Sequence, residues 1–211
     1  MKLPIVFLLC LALAVPVSAA SMGRQTPDAA VLVLKSQQGF VLLYNQGKLH
    51  FTMEFVGREW VPVDSEQMFF KVDGRVLQLQ VAKLTDFLPG SEKTKFKDTE
   101  ILEKHRAWEQ EFLGGLLKAK LNVTSGKVTT KGDREGLLWH FPIPDGMNQQ
   151  VNQQVFLTSV VGEQVLVLNA GVEKNDTVTS VSRYLTDCLS SLRVSDKSID
   201  TKTVQEEIRK R

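Results

Sequence analysis

The segment "MFFKVDGRVLQLQVAKL", Met68 to Leu84, restricts the fold of this chain more than any other stretch. Asp73-Gly74 stands between two runs rich in Val, Phe and Leu, and a two-residue hairpin loop needs positive φ at both positions, which Asp and Gly tolerate. Beyond the turn Leu77, Leu79 and Val81 alternate with Gln78 and Gln80, the period of two expected of a strand with unlike faces. The same grammar precedes it. "AVLVLKS" is a short apolar run, and Leu49, Phe51, Met53 and Phe55 alternate with His50, Thr52 and Glu54. Turns are expected at Asn45 to Gly47 and Val56 to Glu59. Roughly five or six strands joined as hairpins are therefore expected before residue 85, which makes the sheet antiparallel.

"DFLPGSEKTKFKD" interrupts this pattern and introduces a helix over about 98–121, with Ile101, His105, Trp108, Phe112 and Leu116 as its apolar stripe. Asp98 is its expected N-cap, with Glu100 in the first turn. Gly114-Gly115 inside it predicts a close crossing over a sheet or a bend. Strands then return: "NVTSGKVTTKGDREGLLWHFPIP" turns near Gly132 to Gly136, and "QQVFLTSVVGEQVLVLNAGV" turns at Gly162-Glu163. The nearly all-apolar arms of the second hairpin predict central strands covered on both faces. A closing helix over about 176–193, capped by Asn175 or Asp176, buries Val178, Val181, Leu185, Cys188 and Leu192. The expected fold is α+β, an antiparallel sheet of hairpins covered by two amphipathic helices.

The first 19 residues read as a signal peptide, with Lys2, an apolar run from Leu3 to about Val15, Pro16 and small residues at 17–20. That run is shorter than the roughly 20 residues a bilayer span needs, so a retained anchor ranks second. Cys10 follows bulky Phe7, Leu8 and Leu9, a poor context for acylation at a cleavage point. The expected organisation is a signal peptide at 1–19, a polar lead-in at 20–29, one α+β domain at 30–194 and a charged tail at 195–211. In the tail Thr203 and Glu206 have capping-box spacing. The expected location is outside the cytoplasm, in the periplasm or extracellular, with no integral span after cleavage.

The "VFLTSVVGEQVLVLNAGV" hairpin followed directly by "NDTVTSVSRYLTDCLSSLRV" resembles the closing strand-strand-helix of the PsbP and Mog1-like group. That resemblance implies an antiparallel sheet sandwiched between helices and a noncatalytic accessory or assembly role through contacts with another protein. It transfers no functional residue.

The residues themselves point away from several chemistries. A net charge of +2, with cations and anions interspersed, offers no basic stripe for nucleic acid. His50, His105 and His140 are far apart and outside any HExxH pattern, so no metal site is assigned. His105 and Glu109, one helical turn apart, could share a cation, but His105 lies on the apolar stripe and reads as packed. Glu109 and Glu111 face different ways and suit solvation. There is no G-x-S-x-G elbow, no P-loop and no dinucleotide fingerprint. Cys188 follows Asp187, which disfavours a thiolate, and reads as a packed thiol. "PIPDGMNQQVNQQ" reads as a polar surface loop. Asn122 and Asn175 match the glycosylation pattern, and the bacterial look of the signal peptide makes Asn175 a helix cap instead. No catalytic, cofactor or metal residue is assigned, and no cofactor is expected. The expected partner is another exported or envelope protein; the competing readings are a carrier of an apolar ligand or lipid between sheet and helix, and an unrecognised hydrolase that would use His105 or His140.

Overall fold

In the computed structural model residues 31–64, 68–88, 95–147 and 150–210 are described. The expected signal peptide and lead-in lie outside the described residues. The fold class is α+β and every strand pairing is antiparallel. The strands divide between two sheets rather than one. Strands β1 (Val31–Ser36), β2 (Gly39–Gln46) and β3 (Leu49–Val56) form the first, completed by β11 (Arg193–Ser195) in the order β1-β2-β3-β11. The second contains β4 (Trp60–Asp64), β5 (Phe69–Val72), β6 (Arg75–Lys83), β7 (Thr124–Thr129), β8 (Glu135–Pro142), β9 (Val151–Val161) and β10 (Gln164–Glu173), in the order β4-β5-β6-β10-β9-β8-β7. Four helices accompany them among the described residues: α1 (Leu84–Phe87), α2 (Asp98–Leu117), α3 (Val178–Ser190) and α4 (Thr201–Lys210).

The turn at Asp73-Gly74 has φ values of 46° and 88°, as its sequence demands. In the first sheet the alternation of β3 buries Leu49, Phe51, Met53 and Phe55 on one face. Cross-strand partners Phe40 and Phe55 stack at 4.7 Å, and Tyr44 and Phe51 at 4.8 Å. Gly39 has φ +150°, and a side chain there would strike the Phe55 carbonyl, so only glycine lets β2 begin this close to β3.

One core is shared by both sheets and closed by α3, whose Val181, Leu185, Cys188 and Leu189 pack with Phe51, Met53, Leu157, Leu166 and Leu168. A second core lies on the opposite face of the seven-stranded sheet beneath α2, around Trp139, Phe141 and Phe156. Central strands β9 and β10 are thus covered on both faces, as their apolar composition predicts. A row of amides crosses the α2 side of this sheet. Asn169 donates to Gln78 at 3.1 Å, while Gln154 donates to Asn169 at 3.0 Å. These pairings satisfy polar groups that would otherwise cost several kcal/mol to bury.

Both long helices depart from their sequence readings in detail. The N-cap of α2 is Lys97, whose N–H donates to Glu100 Oε2 at 2.8 Å; Asp98 is the first helical residue. Its buried stripe is Ile101, Leu102, His105, Glu109, Leu113 and Leu117, whereas Phe112 and Leu116 are 38% and 45% exposed. An apolar-only reading skipped Glu109 and so slipped by one position along the second half of the helix. The helix stops at Lys118, in the left-handed region at φ 50°, and the Ala119 N–H returns to the Gly114 carbonyl at 3.1 Å. Gly114 serves this turn: a Cβ there would lie 3.1 Å from the Ala119 carbonyl oxygen. The cap of α3 is Thr177, which accepts from the Ser180 N–H at 3.1 Å, instead of Asn175 or Asp176.

The stretch read as a charged tail is part of the fold. Strand β11 pairs with β3, and α4 seats Val204 on Val41 and Leu43, covering the outer face of the first sheet. Its first turn is held by Asp200 Oδ2, which accepts from the Thr203 N–H at 2.9 Å, in place of the expected Thr203–Glu206 box. The outward apolar side chains of β2 supply the reason, since without α4 they would face water.

Candidate functional site

A cleft of about 940 Å³ opens where the two sheets meet beside α3. The β1–β2 turn contributes Lys35 to Gly39, the end of β3 contributes Glu54 and Val56, and the chain leading into the second sheet contributes Gly57, Arg58 and Trp60. Asp73 and Arg75 come from the β5–β6 hairpin, Lys131 from the β7–β8 turn, and Tyr184, Asp187, Cys188, Ser190 and Ser191 from α3 and its cap. Trp60 rests against Phe40 with ring centroids 4.7 Å apart, which anchors one wall to the shared core.

The polar walls are held by internal bonds. Asp73 Oδ1 accepts from the N–H groups of Arg58 and Glu59, each at 2.9 Å, fixing the chain that enters β4. Arg75 grips Asp176 through two nitrogens, Nε to Oδ2 and Nη2 to Oδ1, the latter at 3.3 Å, and its guanidinium lies 5.6 Å from the centre of the Tyr184 ring. Burial would raise the Asp176 carboxyl, but hydrogen bonds from Arg75 and Ser180 outweigh it and hold the group below the usual carboxylate range. Lys131 and Asp187 approach to 3.7 Å across the mouth, an exposed pair that adds little stability. Ser191 Oγ accepts from the Glu54 N–H at 2.8 Å and ties the end of α3 to β3.

Cys188 lies in the floor and is only 3% exposed. Burial first, and Asp187 second, push its thiol up to about 12 against a lowering contact from Tyr184. It remains a protonated thiol at neutral pH, the packed residue that its place on the apolar stripe predicts. Burial likewise raises the Tyr184 hydroxyl.

The histidines lie elsewhere. His140 Nδ1 meets Gln153 Oε1 at 2.9 Å, and His50 Nδ1 meets Asn45 Oδ1 at 3.2 Å. His105 and Glu109 share the core face of α2, with Nδ1 and Oε2 3.5 Å apart and relative exposures of 1% and 3%. Burial lowers His105 to about 4 and raises Glu109 to about 8, so both are neutral near pH 7. Solvation was the expectation for Glu109, and the structure corrects it; Glu111 is exposed as expected. Among the described residues no group of three or more His, Cys, Asp or Glu could hold a metal ion. No described helix is long and apolar enough to cross a membrane. Asn122 and Asn175 are both exposed, and the described residues of the expected polar loop do not line the cleft; its last four, Val151 to Gln154, are the start of β9 instead.

Sequence reasoning did not foresee the cleft. Arg75 and Asp176 are 101 positions apart, and each looks like an ordinary surface charge in its own segment. The one local signal was the placement of Arg75 directly after a hairpin turn, at the end of a strand.

No family model matches the chain, and no curated protein is similar to it. Among solved structures the chain is similar to the solution structure of cyanobacterial PsbP (CyanoP) from Synechocystis sp. PCC 6803, at 10% identity and a TM-score of 0.47. The match covers 82% of this chain and 99% of that one.

Proposed function

We propose that this protein is an exported, noncatalytic accessory protein that binds another protein of the envelope or extracellular space through the cleft between its two sheets. The observation that carries the reading is the construction of the cleft. Its walls are braced by Asp73, Ser191 and the Arg75–Asp176 pair, while Lys35, Gln37, Gln38 and Arg58 stand exposed around the half-buried Trp60. The braced frame presents Trp60 and Arg58, two of the residue types enriched at the centre of protein interfaces. Such preorganisation reduces the ordering cost of association.

The exposed Lys35, Gln37, Gln38 and Arg58 at the rim favour a partner surface with polar groups over a wholly apolar ligand. The protonated Cys188 thiol supports a binding role over nucleophilic chemistry at this place.

A photo-crosslinking residue at Gln38 tests the reading in the living host. We expect one discrete protein adduct, lost on Arg58→Glu, and no adduct from the same probe at Lys127 on exposed strand β7. Equal labelling from both positions, or an adduct unaffected by the Arg58 change, would remove the cleft from the binding surface.

A further inference from the structure

Among the described residues the two sheets end in four edge strands, β1 and β11 in the first and β4 and β7 in the second. An edge strand offers unpaired N–H and C=O groups to any other strand, and proteins usually blunt it with shortness, proline, charge or a bulge. Three edges carry such devices. Strand β11 has three residues, β4 contains Pro62 and a register break between Pro62 and Asp64, and β7 is a polar, exposed "TSGKVT" with Gly126 and Lys127.

Strand β1 carries none of these along its first four residues. "VLVLKS" pairs with β2 from Val31↔Tyr44 to Ser36↔Gly39 without a bulge, and its first charge is Lys35. Both of its faces are apolar. Val31 and Val33 pack against the shared core, while Leu32 and Leu34 pack with Val41, Leu43 and Val204 under α4. Among the described residues no strand pairs with its outer side.

An incoming strand must therefore bring apolar side chains at both parities, to continue two cores at once. The sequence of β1 itself has that pattern. We propose that β1 pairs antiparallel with β1 of a second copy of this chain, joining two four-stranded sheets into one continuous sheet. Directly opposed residues of an antiparallel pair point to the same face, so the two-fold axis must fall on a residue and not between two residues. Centring on Val33 sets Val33 opposite its own copy and Leu32 opposite Leu34. Lys35 then falls opposite Val31 at the end of the ladder, where its ammonium reaches water and meets no like charge. The low net charge of +2 leaves little long-range repulsion between copies. The pairing does not rest on the partner proposed for the cleft, although Lys35 and Ser36 at the end of β1 also line it.

Sedimentation equilibrium of the purified chain should give twice the mass of one chain, dissociating on dilution. In a Cys10→Ala, Cys188→Ala background, Val33→Cys should then lock into a covalent dimer under mild oxidation, since directly opposed Cβ atoms lie about 4.5–5.5 Å apart. Leu32→Cys should not lock, because its own copy is not opposite. Far-UV circular dichroism of both variants checks that they remain folded. A single-chain mass at the highest soluble concentration overturns the proposal, including the case in which β1 amides resist hydrogen exchange because something else covers the edge. A dimer that Val33→Cys does not lock, or that both cysteines lock equally, assigns the contact to another surface and overturns it as well.

Discussion

Replacing Glu109 with glutamine should make this protein more stable at mildly alkaline pH, against the usual expectation for losing a core residue. Glu109 lies on the core face of α2 at 3% exposure, beside a His105 that is also neutral. Phe87 meets the His105 ring edge-on at 5.0 Å, and the strands below belong to an apolar cluster with Leu137, Trp139, Phe141 and Phe156. Burial is the cause of both shifts, Glu109 rising from 4.5 to about 8 and His105 falling from 6.5 to about 4.

The signs are opposite. The folded state holds the Glu109 proton more tightly than the unfolded chain, so stability falls as pH rises from about 4.5 to about 8. The folded state holds the His105 proton less tightly, so stability is gained as pH rises from about 4 to about 6.5. The slopes offset each other up to about pH 6.5, above which only the Glu109 loss continues. At about 1.4 kcal/mol per pKa unit, the fall from pH 6.5 to 8 is about 2 kcal/mol, and the accumulated Glu109 cost at pH 7 is about 3 kcal/mol.

Urea unfolding followed by tryptophan fluorescence, with Trp108 and Trp139 both in or beside this cluster, measures this directly. Wild type should be near its maximum at about pH 5–6.5 and lose about 2 kcal/mol by pH 8. Glu109→Gln should be level from pH 6.5 to 8 and exceed wild type at pH 8. A wild type with level stability over that interval, or a glutamine variant with the same decline, would refute the reasoning that the carboxyl is buried and neutral.

Cys188 should react with a thiol reagent in native protein at pH 8 only as fast as the protein unfolds, because the thiol is buried and its pKa is pushed up to about 12; immediate stoichiometric labelling would contradict both points. Thr177→Ala should cost about 1 kcal/mol in denaturant titrations through loss of the α3 cap, whereas Asn175→Ala should cost a few tenths at most, and the reverse ranking would restore Asn175 as the cap. Val204→Asp should destabilise the domain by about 2–4 kcal/mol by placing a carboxylate on Val41 and Leu43, and an unchanged midpoint would show that α4 is not seated there.

The fold class, the hairpins and the burial of Cys188 were legible in the sequence because they depend on local rules. Asp73-Gly74 sets its turn whatever surrounds it, the alternation through Leu49 to Phe55 sets one buried face, and the stripe through Val181, Leu185 and Cys188 sets the inner side of α3. Other features were decided by partners distant in the chain. Periodicity passes over a carboxylate, so the stripe of α2 was misread where Glu109 is neutralised by surroundings that only packing supplies. Strand signals do not say which strands share a sheet, so the division into two sheets, and hence the cleft between them, came with the tertiary structure. The charged stretch after residue 194 carries too few apolar residues to declare itself part of a domain. It becomes one because β2 turns Val41 and Leu43 outward, and α4 is the element available to cover them. Arg75 and Asp176 read separately as solvated charges; brought together across 101 positions, they brace the wall of the proposed binding surface.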